Sequence, residues 1–214
     1  MGVRIITQPA VEPITLADLR KHLGIEPYEV DSNGDGEHPH DAMIMAMLGA
    51  ARAHAEEFTG RSIALKTYEL ALDEFPADEI ELPHPPAVRI EQVTYVTTDS
   101  AGDLVEETVA AEDYTLDRYL EPGWVTPAIN TTWPTASAVI NAVKVRYVAG
   151  YQVPEPDSSA EDADALPGAI RAALLLMVGH LYENRAAASD KATTEVPLGV
   201  DALLRPYRVR LGMA

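Results

Sequence analysis

The stretch 167–185, PGAIRAALLLMVGHLYENR, decides the fold class. Proline suits the first turn of a helix, where its missing N–H costs nothing. Ile170, Leu174, Met177, Val178 and Leu181 then recur at three- and four-residue steps, the spacing of one helix face. Leu175 and Leu176 lie off that stripe, which predicts burial on more than one side. A helix this apolar needs other helices to pack on, and the N-terminal part supplies them. Thr15 reads as an N-cap with Asp18 three residues on, ahead of a short helix over Leu16–Leu23 that Gly24 closes. Asp41 reads as the cap of a longer helix over 42–59. Ile44, Met47, Leu48, Ala51, Ala55 and Phe58 form its apolar face, and Gly60 ends it. Arg52, Glu56 and Glu57 are assigned to its solvated side.

Between these helices the period changes to two. Ile63 and Leu65 share one phase, and Tyr68, Leu70 and Leu72 the other, which predicts a bulge or bend. Val88, Ile90, Val93, Tyr95 and Thr97 make a second strand with a similar shift. Asp99-Ser100-Ala101-Gly102-Asp103 is a hairpin-type turn into Leu104-Val105, and 113–116 is a short strand. The clearest strand is 139–148. Val143, Val145 and Tyr147 point one way, Lys144 and Arg146 the other. Residues 1–14, with Pro9 and Pro13, read as an extended lead-in.

The predicted class is α+β: a helical core of about three helices plus a C-terminal arm. A small, mostly antiparallel sheet with one wet face is inserted between the second and third main helices. The divisions are 1–60, the N-terminal helical part; 61–151, the β-rich insertion; 152–166, an acidic linker; 167–185, the core helix; and 186–214, the arm. Pro154, Pro156 and five acids mark the linker as mobile. No internal repeat is visible.

Composition narrows function. The chain has 214 residues, 47% of them hydrophobic, enough for a sizeable core. It has no cysteine, which removes disulfides and thiolate chemistry. No stretch reaches the roughly 20 apolar residues of a membrane span, and 1–6 lacks the features of a signal peptide. The expected setting is cytoplasmic. Formal net charge is −18. A field of that sign opposes binding to phosphate backbones. It serves solubility, or it forms a wall past which DNA slides without sticking.

Candidate chemistry is sparse. Asp31, Asn33 and Asp35, followed by Gly36, match the first half of a calcium loop. The second half fails, because Ala42 stands where a bidentate Glu is needed and Pro39 occupies the ninth position. A plain Asx/Gly turn accounts for the pattern. Glu37, His38, His40 and Asp41 make a neighbouring cluster without a fixed further ligand. His180 and Glu183 share a helix face but lack a partner. Trp124 and Trp133 flank Pro127 and are open either to sugar stacking or to anchoring a long loop. Carboxylates are too numerous for any pair to single itself out. No phosphate loop or nucleophile elbow occurs. No catalytic residue and no cofactor are assigned.

The arm is distinctive. Residues 195–214 carry Arg205, Arg208 and Arg210 against only Glu195 and Asp201, a local reversal of sign. Asp201 reads as the cap of a short helix that Pro206 ends. Val196, Leu198, Leu203, Leu204, Arg205, Tyr207, Arg208, Arg210 and Leu211 are the candidate partner-binding residues, since Arg and Tyr are favoured anchors. Two readings stand: the arm docks on a partner, or it folds back onto its own helices.

Several short motifs then stand in a fixed order: Pro13-Ile14-Thr15-Leu16, Glu57-Phe58-Thr59-Gly60-Arg61 and Tyr147-Val148-Ala149-Gly150-Tyr151. Leu166-Pro167 with Tyr182-Glu183-Asn184-Arg185, the run 197–204, and Pro206-Tyr207-Arg208 follow. In that order they resemble the head–tail connector, or neck adaptor, proteins of long-tailed phages and related gene-transfer particles. The resemblance covers nearly the whole chain and brings no catalytic signature. It implies a structural virion protein of the neck, made in the bacterial host cytoplasm. It implies a ring of copies, typically a dodecamer, beneath the portal protein, with DNA passing through unbound. The segment 196–211 would reach toward the portal, and a neck stopper or tail-terminator protein would bind the other end. The resemblance implies no membrane contact. The alternatives are a calcium- or metal-dependent binding module at 31–41, or a carboxylate-based hydrolase.

Overall fold

The computed structural model describes residues 1–26, 29–30, 36–152, 163–185 and 198–209. Among these residues the strands and α-helices follow in order: β1 Gly2–Thr7, α1 Leu16–Leu23, β2 Glu29–Val30, β3 Gly36–Glu37, α2 Asp41–Thr59, β4 Lys66–Leu72, β5 Ile80–Leu82, β6 Ala87–Thr98, β7 Leu104–Thr108, β8 Tyr114–Asp117, β9 Gly123–Pro127, β10 Val143–Ala149, α3 Gly168–Glu183 and α4 Leu198–Leu204. The class is α+β, as the two periodicities predicted.

The helices end where their capping chemistry lies. Thr15 is extended and its Oγ1 accepts from the Asp18 amide at 3.1 Å. Gly24 (φ 65°) and Gly60 (φ 73°) close α1 and α2 in the left-handed region that glycine enters without strain. Asp41 is not the cap of α2 but its first residue. Its carboxylate accepts from the His38 amide at 2.7 Å and from Arg20 Nε at 2.9 Å, and so ties α1 to α2. Similarly α4 starts three residues before Asp201, and Pro206 follows the helix in a 3-10 turn. Pro167 stands just ahead of α3.

Two separate interiors result. The helical one joins Leu19 of α1, Ile44, Leu48, Ala51 and Ala55 of α2, and Ile170, Leu174 and Val178 of α3, with Val200 and Leu204 of α4. Each large aliphatic side chain fully buried there contributes roughly 1.5–3 kcal/mol. Leu176 departs from the predicted burial on several sides. It is 42% exposed, while Leu175 packs on the core. Arg52 and Glu56 depart the other way. Arg52 Nε donates to Glu12 at 2.8 Å, and Glu56 takes Arg52, Lys66 Nζ and the Ile63 amide. Only Glu57 is solvated. Helix periodicity cannot register partners that arrive from another part of the chain.

The second interior lies between two antiparallel sheets. One has the order β1-β4-β10-β6-β7 and the other β5-β9-β8; a separate two-stranded ribbon pairs β2 with β3. Tyr68, Leu70, Val93, Val145 and Tyr147 from the large sheet meet Ile80, Leu82 and Val125 from the small one. Tyr147 Oη donates to the Pro83 carbonyl at 2.7 Å, and burial pushes both its pKa and that of Tyr68 up, the latter to about 12. The opposite face is polar as expected, with a cross-strand row in which Glu69 accepts from Arg4 and Arg146. Bonds from these two arginines outweigh the opposing effect of burial and hold the Glu69 carboxyl below its usual range.

Two strand readings change and a third, the shift in the second strand, holds. The lead-in contains β1, an edge strand on β4, so the sheet is completed from the N-terminus. The phase shift between Ile63 and Tyr68 is not a bulge. Ile63 belongs to the helical interior, and β4 begins only at Lys66. The shift in β6 is a register irregularity, with Glu91 unmatched between Gln92 and Ile90. The interiors meet where Ala64 bridges Tyr151, beside Gly150 at φ 132°. A Cβ on Gly150 would stand 2.4 Å from the Ala64 carbonyl oxygen.

Candidate interaction surface

The arm is held by the chain's own core over its described length. Val200 and Leu204 are fully buried against α2 and α3, and Leu203 and Tyr207 pack on the same cluster. Past the 3-10 turn Arg205–Tyr207, the Val209 amide donates to the Thr59 carbonyl at 2.7 Å, and the Val209 side chain lies against Gly60. The arm thus crosses the C-terminal end of α2.

Arg61 fixes it there. Its Nε donates to the Tyr207 carbonyl at 2.5 Å, its Nη1 to Tyr151 Oη at 3.1 Å, and its Nη2 to the Glu121 carboxylate. Burial disfavours the charge, but Glu121 and Tyr151 outweigh it and hold the Arg61 pKa above its ordinary value. One guanidinium therefore binds the arm, the seam between the interiors, and the loop joining β8 to β9. Nothing in the sequence marks Arg61 beyond its place after the Gly60 stop.

That loop was not singled out in the sequence either. Tyr119 is 100% exposed and Leu120 61%. The loop is braced, because Asp117 Oδ1 accepts from the Tyr119 amide at 2.8 Å and Arg118 donates to the Val88 carbonyl at 3.2 Å. A readable signal exists in hindsight: two adjacent apolar residues set between charged ones just before Pro122. Between loop and arm lies a groove of about 210 Å³ walled by Phe58, His84, Pro122, Arg208 and Val209. The Arg208 guanidinium carbon is 5.4 Å from the centre of the Phe58 ring, within cation–π range. His84 stacks on Tyr68, and burial, helped by the Lys66 charge, lowers its pKa.

The candidate partner residues divide accordingly. Arg205 and Arg208 are exposed, Leu203 and Tyr207 half-buried, and Leu204 sealed in the interior. Leu198 opens α4. Val196, Arg210 and Leu211 lie outside the described residues, as do Asp31, Asn33 and Asp35 of the calcium-like loop.

Other chemistry is used structurally. His40 Nδ1 meets Tyr182 Oη at 2.9 Å, and Arg185 lies 4.2 Å over the Tyr182 ring. Asn184 Nδ2 donates to the His180 carbonyl at 2.8 Å. Among the described residues, no three His, Asp or Glu side chains converge as metal ligands. Trp133 stacks on Phe75 at 5.0 Å, donates to the Asp78 carbonyl, and lines an open groove of about 560 Å³ that Trp124 does not share. The lowered carboxyls answer to cations: Asp18 to Arg171, Asp41 to Arg20, and Glu106 to Lys144. No described helix is long and apolar enough to cross a membrane.

No protein-family model matches the chain, and no curated protein matches it. Solved structures do. A chain from the neck of an empty gene transfer agent (GTA) particle, computed with C6 symmetry, superposes with a TM-score of 0.72 at 24% identity, covering 100% of this chain and 99% of that one. A chain from the neck of the native GTA particle, computed with C12 symmetry, gives 0.69 at the same identity and coverage. A chain from the native GTA virion also gives 0.69 at 24% identity and the same coverage. From end to end, then, this chain has the fold of those neck proteins, the fold that the motif order implied.

Proposed function

We propose that this chain is a structural protein of a virion neck: a connector that forms a ring beneath the portal of a phage-like particle and joins the DNA-filled head to the tail. The single observation that carries the proposal is the end-to-end likeness in fold to chains of the gene transfer agent neck. The C6 and C12 symmetries of those particles favour a ring of copies here, with twelve as the expected number.

The mechanism is attachment without catalysis. Each copy offers the same arm surface, with Arg205 and Arg208 exposed on a segment that Arg61 and Leu204 hold in place. A ring repeats that weak contact many times on one partner, and the copies reinforce one another through effective concentration. The other end of the ring receives a neck stopper or tail-terminator protein. A net charge of −18 suits a lumen through which DNA slides, since like charge opposes phosphate binding. The free chain is expected to be largely monomeric in dilute solution and to close its ring on the portal.

Electron microscopy of particles made with and without the gene tests this. Loss of the gene should give filled or leaking heads beside detached, complete tails. Normal tailed particles would reject the connector role.

A further inference from the structure

We propose that the loop between β8 and β9 is a second docking element and that it binds the portal together with the arm, as one rigid unit keyed by Arg61. This rests on the connector reading above. Single exposed apolar residues are ordinary on protein surfaces; the combination here is not. Tyr119 is fully exposed beside Leu120 on a loop whose backbone is braced by Asp117. A braced loop loses little freedom on binding, and tyrosine is a frequent anchor at interfaces. Binding would bury the two side chains in an apolar hollow of the partner.

Position identifies that partner. Glu121, next to Leu120, is bonded to Arg61, which also holds the Tyr207 carbonyl of the arm. Pro122 at the end of the loop and Arg208 of the arm line one groove. Loop and arm thus border one groove and are tied through one guanidinium, which brings the loop within reach of a partner that covers the arm at Arg208. The exposed Arg205 and Arg208 favour carboxylates on the partner where it covers the arm. Arg61 touches no partner in this scheme. It is a positioning residue that keeps loop and arm in register.

The chain has no cysteine, so one introduced thiol carries a photo-crosslinker to a single place. Tyr119→Cys and Arg208→Cys chains, each labelled with a benzophenone and added to portal-bearing heads, should both attach covalently to the portal. Ile140→Cys, also largely exposed, gives the background. If Arg208→Cys labels the portal while Tyr119→Cys labels only a neighbouring copy, or nothing above background, the loop proposal is overturned and the connector reading stands. If neither labels the portal, both fall. Independently, the Tyr119→Ala, Leu120→Ala chain should be retained on such heads at least about tenfold more weakly, with thermal unfolding unchanged. Unchanged retention would overturn the proposal.

Discussion

The two interiors are built differently. The helical one is aliphatic and draws on segments from Ile14 to Ile63 and again from Tyr151 to Leu204. Among the described residues no strand ladder runs between its helices, and ion pairs tie them instead: Arg20 to Asp41 and Arg52 to Glu12 within the first segment, and Arg171 to Asp18 between the two. The sheet interior is contiguous in sequence apart from β1, is closed by strand pairing, and buries the hydroxyl-bearing Tyr68 and Tyr147. A ladder tolerates the loss of one contact, whereas an interior closed at its ends by one helix and a few ion pairs does not. The candidate interaction surface stands at the seam between the two, where Arg61 spans both. Movement of either interior against the other would therefore reach the arm.

The largest effect is expected at that seam. Gly150→Ala would force a side chain into the Ala64 backbone at a φ that L-residues rarely adopt. Strain and overpacking together should cost about 3–5 kcal/mol, read by denaturant unfolding. Two separate transitions in the variant would show that the interiors fold independently, and a single one that they are cooperative. Leu204→Ala comes next, at about 3 kcal/mol. Hydrogen exchange should speed up at the Val209 amide, which bonds Thr59. Leu70→Ala removes as large a side chain from the sheet interior and should leave that amide protected. Equal exchange in both variants would erase the distinction between the regions.

Legibility in the sequence followed the same division. The helices were readable because their periodicity, caps and glycine stops are local: Thr15, Gly24 and Gly60 each act within one turn. Of the strand read at 139–148, the part from Val143 on was readable because Tyr147 and Arg146 face opposite environments, whereas 139–142 lie outside β10. Of the small sheet only β8 was read, as the short strand 113–116; β5 and β9 were missed, since they have three and five residues and sit among prolines. β1 was missed because Ile5-Ile6 breaks alternation where its register shifts. The candidate interaction surface was half legible. Arg205 and Arg208 stood out by charge, but Arg61 gains its importance only from residues far away in the chain, Tyr207 and Glu121, and Tyr119 from a loop that carries no period. Long-range partners of this kind leave no periodicity to read.

A smaller effect should follow from Arg61→Met. The substitution keeps most of the apolar stem but leaves the Tyr207 carbonyl and the Tyr151 hydroxyl without this donor, while Glu121 turns to solvent. The expected loss is about 2 kcal/mol. The informative readout is exchange at Val209 together with crosslinking from Tyr119→Cys. Both should change if Arg61 couples arm to loop, and only the first if it merely anchors the arm.

The smallest effect concerns pH. The hydrogen bond from Arg20 lowers the pKa of Asp41 in the folded chain. A folded pKa below the unfolded one means that the stabilisation is fully present above the unfolded value, about 4. It is lost as pH falls through the lowered folded value. The pair is partly solvated, so the contribution is about 0.5–1 kcal/mol. Asp41→Asn should therefore lower Tm slightly at pH 7, and the gap to the parent chain should narrow progressively as pH falls below about 4. Glu69→Gln should show the same convergence, because its carboxyl is also lowered. Only Asp41→Asn should raise exchange at the start of α2, where the Asp41 carboxylate holds the His38 amide. If acid loosened both places equally in either variant, the charged ties would not be local to their own interiors, and the two regions would titrate as one.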